Sequence, residues 1–204
     1  MTDVFQYPSK PHVRQHGPRD YRNYQSYKPW LRDEFAFRCV YCLCRERSFP
    51  DGEAAFSVDH VRPQSLDPDS VSIYENLLYS CCQCNAIRGT DMVPDPCVDA
   101  YGELLHIQSD GTVTADSEKG RDLIDICRLN RPALVAFRVG MMEVLAKLAS
   151  RQDPDGRLLR HILGFPDSLP NLSRLRPPSG NTKSDGIPAS FFAHRERGQL
   201  ASIY

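Results

Sequence analysis

Two C-x-x-C pairs bracket an Asp-His dipeptide in this 204-residue chain. Cys39-Val40-Tyr41-Cys42 comes first, then Phe56-Ser57-Val58-Asp59-His60, then Glu75-Asn76-Leu77-Leu78. The run closes with Cys81-Cys82-Gln83-Cys84-Asn85-Ala86-Ile87-Arg88-Gly89. Two such knuckles can hold one tetrahedral Zn²⁺ through four thiolates, so Cys39, Cys42, Cys81 and Cys84 are the expected ligands. Asp59 and Asn85 offer hard oxygen donors that suit Mg²⁺ or Mn²⁺. Two such donors leave most of an octahedron to water and phosphate oxygens. His60, with a reference pKa of about 6.5, can take a proton from water near neutral pH.

Plainer readings stand beside these. The knuckles alone would serve a zinc ribbon without catalysis, and a lone His on a strand face is more often packed than reactive. What favours chemistry is the grouping: His60 ends a strand, Asp59 points to its other face, and Asn85 begins a helix tied to that strand by the knuckles. Cys44 and Cys82 lie close enough to compete as ligands but read better as buried small hydrophobes. Cys97 and Cys127 are isolated and read as structural.

The bulk of the chain sets limits. Its 41% hydrophobic and 25% charged residues suit a globular domain with a sizeable core. No apolar run approaches the roughly 20 residues that span a bilayer. Met1-Thr2-Asp3-Val4 opens no basic-then-apolar leader, so no membrane and a cytoplasmic location are expected. A reducing compartment favours metal over disulfides for paired cysteines. The net charge of −1 conceals +4 over residues 1–50, −10 over 51–120 and +5 over 121–204. An acidic centre between basic flanks suits metal in the middle and phosphate at the sides, although a fold can redistribute such segments.

Several elements must position these residues. Residues 1–25 read as an irregular basic arm. Tyr27, Trp30, Leu31 and Phe35 recur at helical spacing, predicting a helix over 26–37 whose aromatics are core. Ala54 to Arg62 alternates as a strand, a polar loop follows Pro63, and Asn76 to Tyr79 is a second strand. Residues 84–88 form a short helix stopped by Gly89. Tyr101 to Val113 reads as a hairpin turning at Asp110-Gly111. Glu118 to Leu129 and Pro132 to Ala149 read as helices, with Asn130 able to cap the second and Pro132 in its first turn. Leu158 to Leu163 adds a short helix, and Pro166 to Pro188 is loop. The fold class is mixed α+β: a strand–strand–helix core held by zinc, with flanking helices. The division is a basic arm (1–25), a core with structural zinc (26–100), a hairpin plus helical extension (101–165) and a Pro/Ser-rich C-terminal segment (166–204).

Residues 39–89 resemble the HNH endonuclease family, also called ββα-metal nucleases. They match its C-x-x-C, D-H, N-L and C-x-x-C-N-x-x-K/R-G parts in order. The resemblance implies that His60 is the general base and that Asp59 and Asn85 bind one catalytic Mg²⁺ or Mn²⁺. It implies that Asn76 braces the loop and orients His60, and that the products carry 5′-phosphate and 3′-hydroxyl ends. Arg88, where Lys is frequent, would contact a phosphate. Asn85 stands where some relatives have His. The flanks Tyr27-Lys28-Pro29-Trp30-Leu31-Arg32 and Leu129-Asn130-Arg131-Pro132-Ala133-Leu134-Val135 are similar to stand-alone bacterial HNH proteins. Some of those, Septu-like and retron-associated, serve anti-phage defence beside an ATPase subunit. DNA is the expected substrate, with Arg14, Arg19, Arg22, Arg174, Arg176, Arg195 and Arg197 as candidate phosphate contacts. RNA as substrate, and a non-catalytic zinc module that binds nucleic acid or a protein, are the alternatives.

Overall fold

The computed structural model describes residues 5–148 and 163–201. Residues 5–23 form no helix, and a 3-10 turn at Tyr24–Tyr27 leads into α1 (Lys28–Glu34). Tyr27, Trp30, Leu31 and Phe35 are all buried, as their spacing predicts. The helix stops short of its predicted limit because Ala36 and Phe37 take φ values of +52° and +58°. That left-handed turn sends the chain into the first knuckle, and no glycine or proline announces it.

The end of α1 gathers distant segments. Glu34 accepts hydrogen bonds from His12 Nε2 at 2.7 Å, from the backbone of Gln15 and His16, and from the Tyr74 hydroxyl at 3.0 Å. Asp33 accepts from His16 Nε2 and from the backbone N–H of Phe191, each at 2.9 Å. The expected basic arm is therefore irregular where described, but docked.

At the centre, β1 (Phe56–His60) pairs antiparallel with β2 (Leu77–Cys81), Phe56 lying opposite Cys81 and His60 opposite Leu77. The helix α2 (Cys82–Arg88) follows β2 directly. It begins earlier than predicted because Cys81 Sγ accepts the Cys84 N–H at 3.4 Å as a cap. Gly89, at φ +58°, ends it as expected. Residues 52–55 and 74–76 are 3-10 turns, so Ala54 and Asn76 fall just outside the strands predicted to hold them.

The second half is helical with one small sheet. The predicted hairpin is shorter than expected, its first residues being the helical turn α3 (Tyr101–Leu104). Strands β3 (His106–Ile107) and β4 (Val113–Thr114) flank Gly111, whose φ is +79°. A Cβ at Gly111 would meet the Val135 carbonyl oxygen at 2.7 Å, so only glycine fits. Ser117 caps α4 (Glu118–Ile126), and α5 spans Pro132–Leu148. Leu134 is buried, and Phe137, Met141 and Leu145 pack against the core. Asn130 does not cap α5. Its side chain instead brackets Val113, accepting from the Val113 N–H at 2.7 Å and donating to the Val113 carbonyl at 2.8 Å.

The helix predicted over Leu158–Leu163 lies outside the described residues except for its last position. The run 166–188 is loop broken by 3-10 turns at Leu172–Arg174 and Ser184–Gly186. The sequence did not predict α6 (Phe191–Glu196), capped by Ser190. Residues 17–19 pair with 180–182: Arg19 N–H donates to the Gly180 carbonyl and Thr182 N–H to the Gly17 carbonyl. Among the described residues no helix is long and apolar enough to cross a membrane. The architecture is the expected α+β, small sheets among helices around a strand–strand–helix centre.

Candidate metal centre and active site

The first knuckle turns because Leu43 takes φ +61° and Cys39 N–H donates to the Cys44 carbonyl at 2.9 Å. The second sits at the β2–α2 junction. The fold brings the sulfurs of Cys39, Cys42, Cys81 and Cys84 within 4.8 Å of one another, all buried. Cys42 Sγ lies 3.9 Å from Cys81 Sγ. A zinc tetrahedron with Zn–S bonds of about 2.3 Å has edges of about 3.8 Å, so the donor set fits that ion. All eight cysteines are free, which disposes of the disulfide alternative. Burial pushes the Cys39 thiol up, so four thiolates in this space need a cation. Arg131 Nη2 reaches Cys84 Sγ at 3.4 Å and offsets part of their charge.

Cys44 and Cys82 are not among the four. Cys44 is buried as expected, whereas Cys82 is exposed, because it opens the solvent side of α2. Cys127 is buried and Cys97 half-buried.

A cleft of about 330 Å³ lies beside the metal cluster. Its lining includes Tyr24, Asp59, His60, Gln64, Asn85 and Arg88. Strand β1 delivers Asp59 and His60 to its two faces, and α2 delivers Asn85 and Arg88. His60 Nε2 lies 3.0 Å from the Val71 carbonyl. That oxygen can only accept, so the neutral ring carries its proton on Nε2 and its lone pair on Nδ1. Gln64 Nε2 sits 3.4 Å from Nδ1, and the Tyr24 ring stands edge-on to the imidazole, centroids 4.8 Å apart. Burial lowers the His60 pKa from its usual value; the Val71 bond and Asp59 raise it and Arg88 lowers it.

Asp59 is buried and heavily bonded. Its Oδ1 accepts from Arg88 Nη1 at 2.7 Å and from the His60 N–H at 2.7 Å; its Oδ2 accepts from the Tyr41 hydroxyl at 2.6 Å. Asn85 Nδ2 donates to Ser57 Oγ at 2.8 Å, which leaves its carbonyl oxygen for a ligand. Asp59 keeps one acceptor direction and Asn85 its carbonyl oxygen, and both residues line the cleft, a donor set that suits a hard divalent cation.

Asn76 is not in the lining of the cleft. Its Oδ1 accepts the Arg62 N–H at 2.8 Å and its Nδ2 donates to Ser70 Oγ at 2.8 Å. It thereby joins both ends of the loop that carries Val71. Arg88, expected at a phosphate, is 1% exposed. Its guanidinium is spent on Asp59 and on the carbonyls of His60, Val61 and Asp91. Arg14 likewise turns inward, donating to the Glu75 and Leu77 carbonyls between the Phe35 and Tyr74 rings. Arg195 is half-buried on the Asp167 carbonyl. Arg19, Arg22, Arg174, Arg176 and Arg197 are exposed. Sequence reasoning missed Tyr41, Gln64, Tyr24 and Arg131 as neighbours of the two centres. Only the placement of Tyr41 between two ligands hinted at one of them.

Comparison with known proteins agrees with this geometry. Residues 39–91 match the family model described as HNH endonuclease. An alignment 101 positions long, which takes in 46% of this chain, is 32% identical to the Septu protein PtuB of Bacillus thuringiensis. It covers 37% of the relative's own length.

Proposed function

We propose, from the HNH endonuclease domain at residues 39–91, that this protein is a metal-dependent endonuclease that hydrolyses phosphodiester bonds, with DNA as its substrate. The observation that carries this reading is the convergence of Asp59, His60 and Asn85 on one cleft. His60 takes a proton from water at Nδ1, and the Val71 carbonyl holds the ring so that this lone pair faces the cleft. The water oxygen bonds to phosphorus as the bond to the 3′ oxygen breaks, and that oxygen takes a proton from solvent water, leaving 5′-phosphate and 3′-hydroxyl ends. A Mg²⁺ or Mn²⁺ ion, when bound by Asp59 and Asn85, supplies charge neutralisation at the phosphate and the departing oxygen. Asn76 keeps the Val71 loop in place, and Arg88 holds Asp59 rather than the substrate. The exposed Arg19, Arg22, Arg174, Arg176 and Arg197 are the phosphate contacts that remain.

The likeness to a Septu protein supports a role in defence with a protein partner; an ATPase subunit as that partner and the cytoplasm as the location are part of the same proposal. The test of the activity is supercoiled plasmid, with single-stranded RNA in parallel, incubated with Mg²⁺ or Mn²⁺. Wild type is expected to nick the plasmid, and His60→Ala to lose roughly 10²- to 10⁴-fold in rate. Cleavage of RNA alone would move the substrate. Binding without cleavage by either protein would return the reading to a non-catalytic zinc module.

A further inference from the structure

We infer that Tyr41 is a positioning residue for the divalent ion: its hydroxyl, set in place by the zinc knuckle, decides which lone pair of Asp59 is left to the cation. The inference rests on the reading of Asp59 as a ligand. A carboxylate offers about four acceptor directions. On Oδ1 two are taken, by Arg88 Nη1 and by the His60 N–H. On Oδ2 one is taken, by Tyr41 at 2.6 Å. A single direction on Oδ2 remains, so Asp59 is presented as a one-oxygen ligand in a fixed orientation.

Both side chains that hold this carboxylate come from segments that the four cysteines clamp. Tyr41 lies between Cys39 and Cys42, and Arg88 lies one turn beyond Cys84 on α2. The knuckle is itself pinned: Val40 N–H donates to the Tyr79 carbonyl at 3.0 Å, and the Tyr7 hydroxyl donates to the Tyr41 carbonyl at 2.6 Å. Tyr41 is fully buried, so its hydroxyl has no water to exchange with. The zinc cluster therefore sets the geometry of the second metal site as well as stabilising the fold. Partners that orient a metal ligand in this way are typically worth roughly 10- to 100-fold in metal affinity.

The test is direct Mn²⁺ binding to the zinc-loaded full chain, read from the free-ion paramagnetic resonance signal. Zinc content and melting temperature are measured on each sample. Tyr41→Phe removes only the hydroxyl. It should keep its zinc and bind Mn²⁺ roughly 10- to 100-fold more weakly. Excess Mn²⁺ should restore its cleavage rate. Tyr7→Phe, which loses a buried bond nearby without touching Asp59, should bind as wild type does. In an Asp59→Asn background, Tyr41→Phe should have no further effect on Mn²⁺ binding. Unchanged or tighter binding by Tyr41→Phe would overturn the inference. So would loss of its zinc, because the hydroxyl would then serve the knuckle. A wild-type protein that binds no Mn²⁺ would instead remove Asp59 as a ligand, and the inference with it.

Discussion

His60 ends β1 with one nitrogen on the Val71 carbonyl and its ring in a T-shaped contact with Tyr24, 5% exposed at the lining of the cleft. Burial disfavours the imidazolium, so the folded ring stays neutral to a lower pH than a free histidine. Cleavage should accordingly be flat from neutrality upward and fall on the acid side, below about pH 6.5. The same shift has a consequence for stability. A depressed folded pKa means that the unfolded chain binds the proton more readily. The contribution of the neutral ring is therefore complete above about pH 6.5 and is lost as pH falls through the folded pKa. Paired pH profiles of nicking and of urea midpoint, for wild type and His60→Gln, would show it; an inflection above 6.5 would contradict it. The candidate ligands and base could be named from the sequence because such groups come from few residue types, and the fold brings Asp59, His60 and Asn85 to one cleft. The role of Tyr41 could not, since a hydrogen bond to Asp59 from 18 positions away leaves no local period.

The helix α2 carries three tasks within five residues. Cys84 and Arg88, four apart, share its buried face, and Asn85 turns toward the cleft. Arg88 ties that helix to β1 and to the following chain through one carboxylate and three carbonyls. Removing it leaves Asp59 buried without its cation. Arg88→Met should cost about 3–5 kcal/mol in denaturant-derived stability, a scale typical of breaking one side of a buried pair. Arg88→Lys should recover little, because a point charge cannot serve four acceptors arranged for a planar fork. A near-wild-type midpoint in Arg88→Met would mean that the network is dispensable. The elements themselves were readable where pattern is strong: the alternation through Phe56, Val58 and His60, and the apolar stripe of α5. They were misjudged where a side chain decides the matter. Examples are Asn130, which brackets Val113, and the early end of α1, where Ala36 and Phe37 bend without a glycine.

Across the chain the four-cysteine cluster is the point where the two C-x-x-C segments of the core are joined. Structural zinc can contribute on the order of 10 kcal/mol, comparable with the entire stability of a domain. Cys39→Ser, or a strong chelator, is expected to abolish zinc content and the cooperative melt together. Retention of both would show that the four cysteines are not the ligands. The C-terminal helix α6 escaped notice because its capping Ser190 sits in a run of turn formers, and its docking to Asp33 spans 158 positions. The segment bearing Tyr24, one wall of the cleft, is continuous with residues 17–19, and these are held by 180–182. During synthesis the four clustered cysteines have all been made by residue 84, well before those partners exist. The metal cluster can thus assemble on a nascent chain, while the cleft acquires its anchored wall only after translation has passed residue 182. A nascent chain therefore carries an incomplete cleft until residues 180–182 are made.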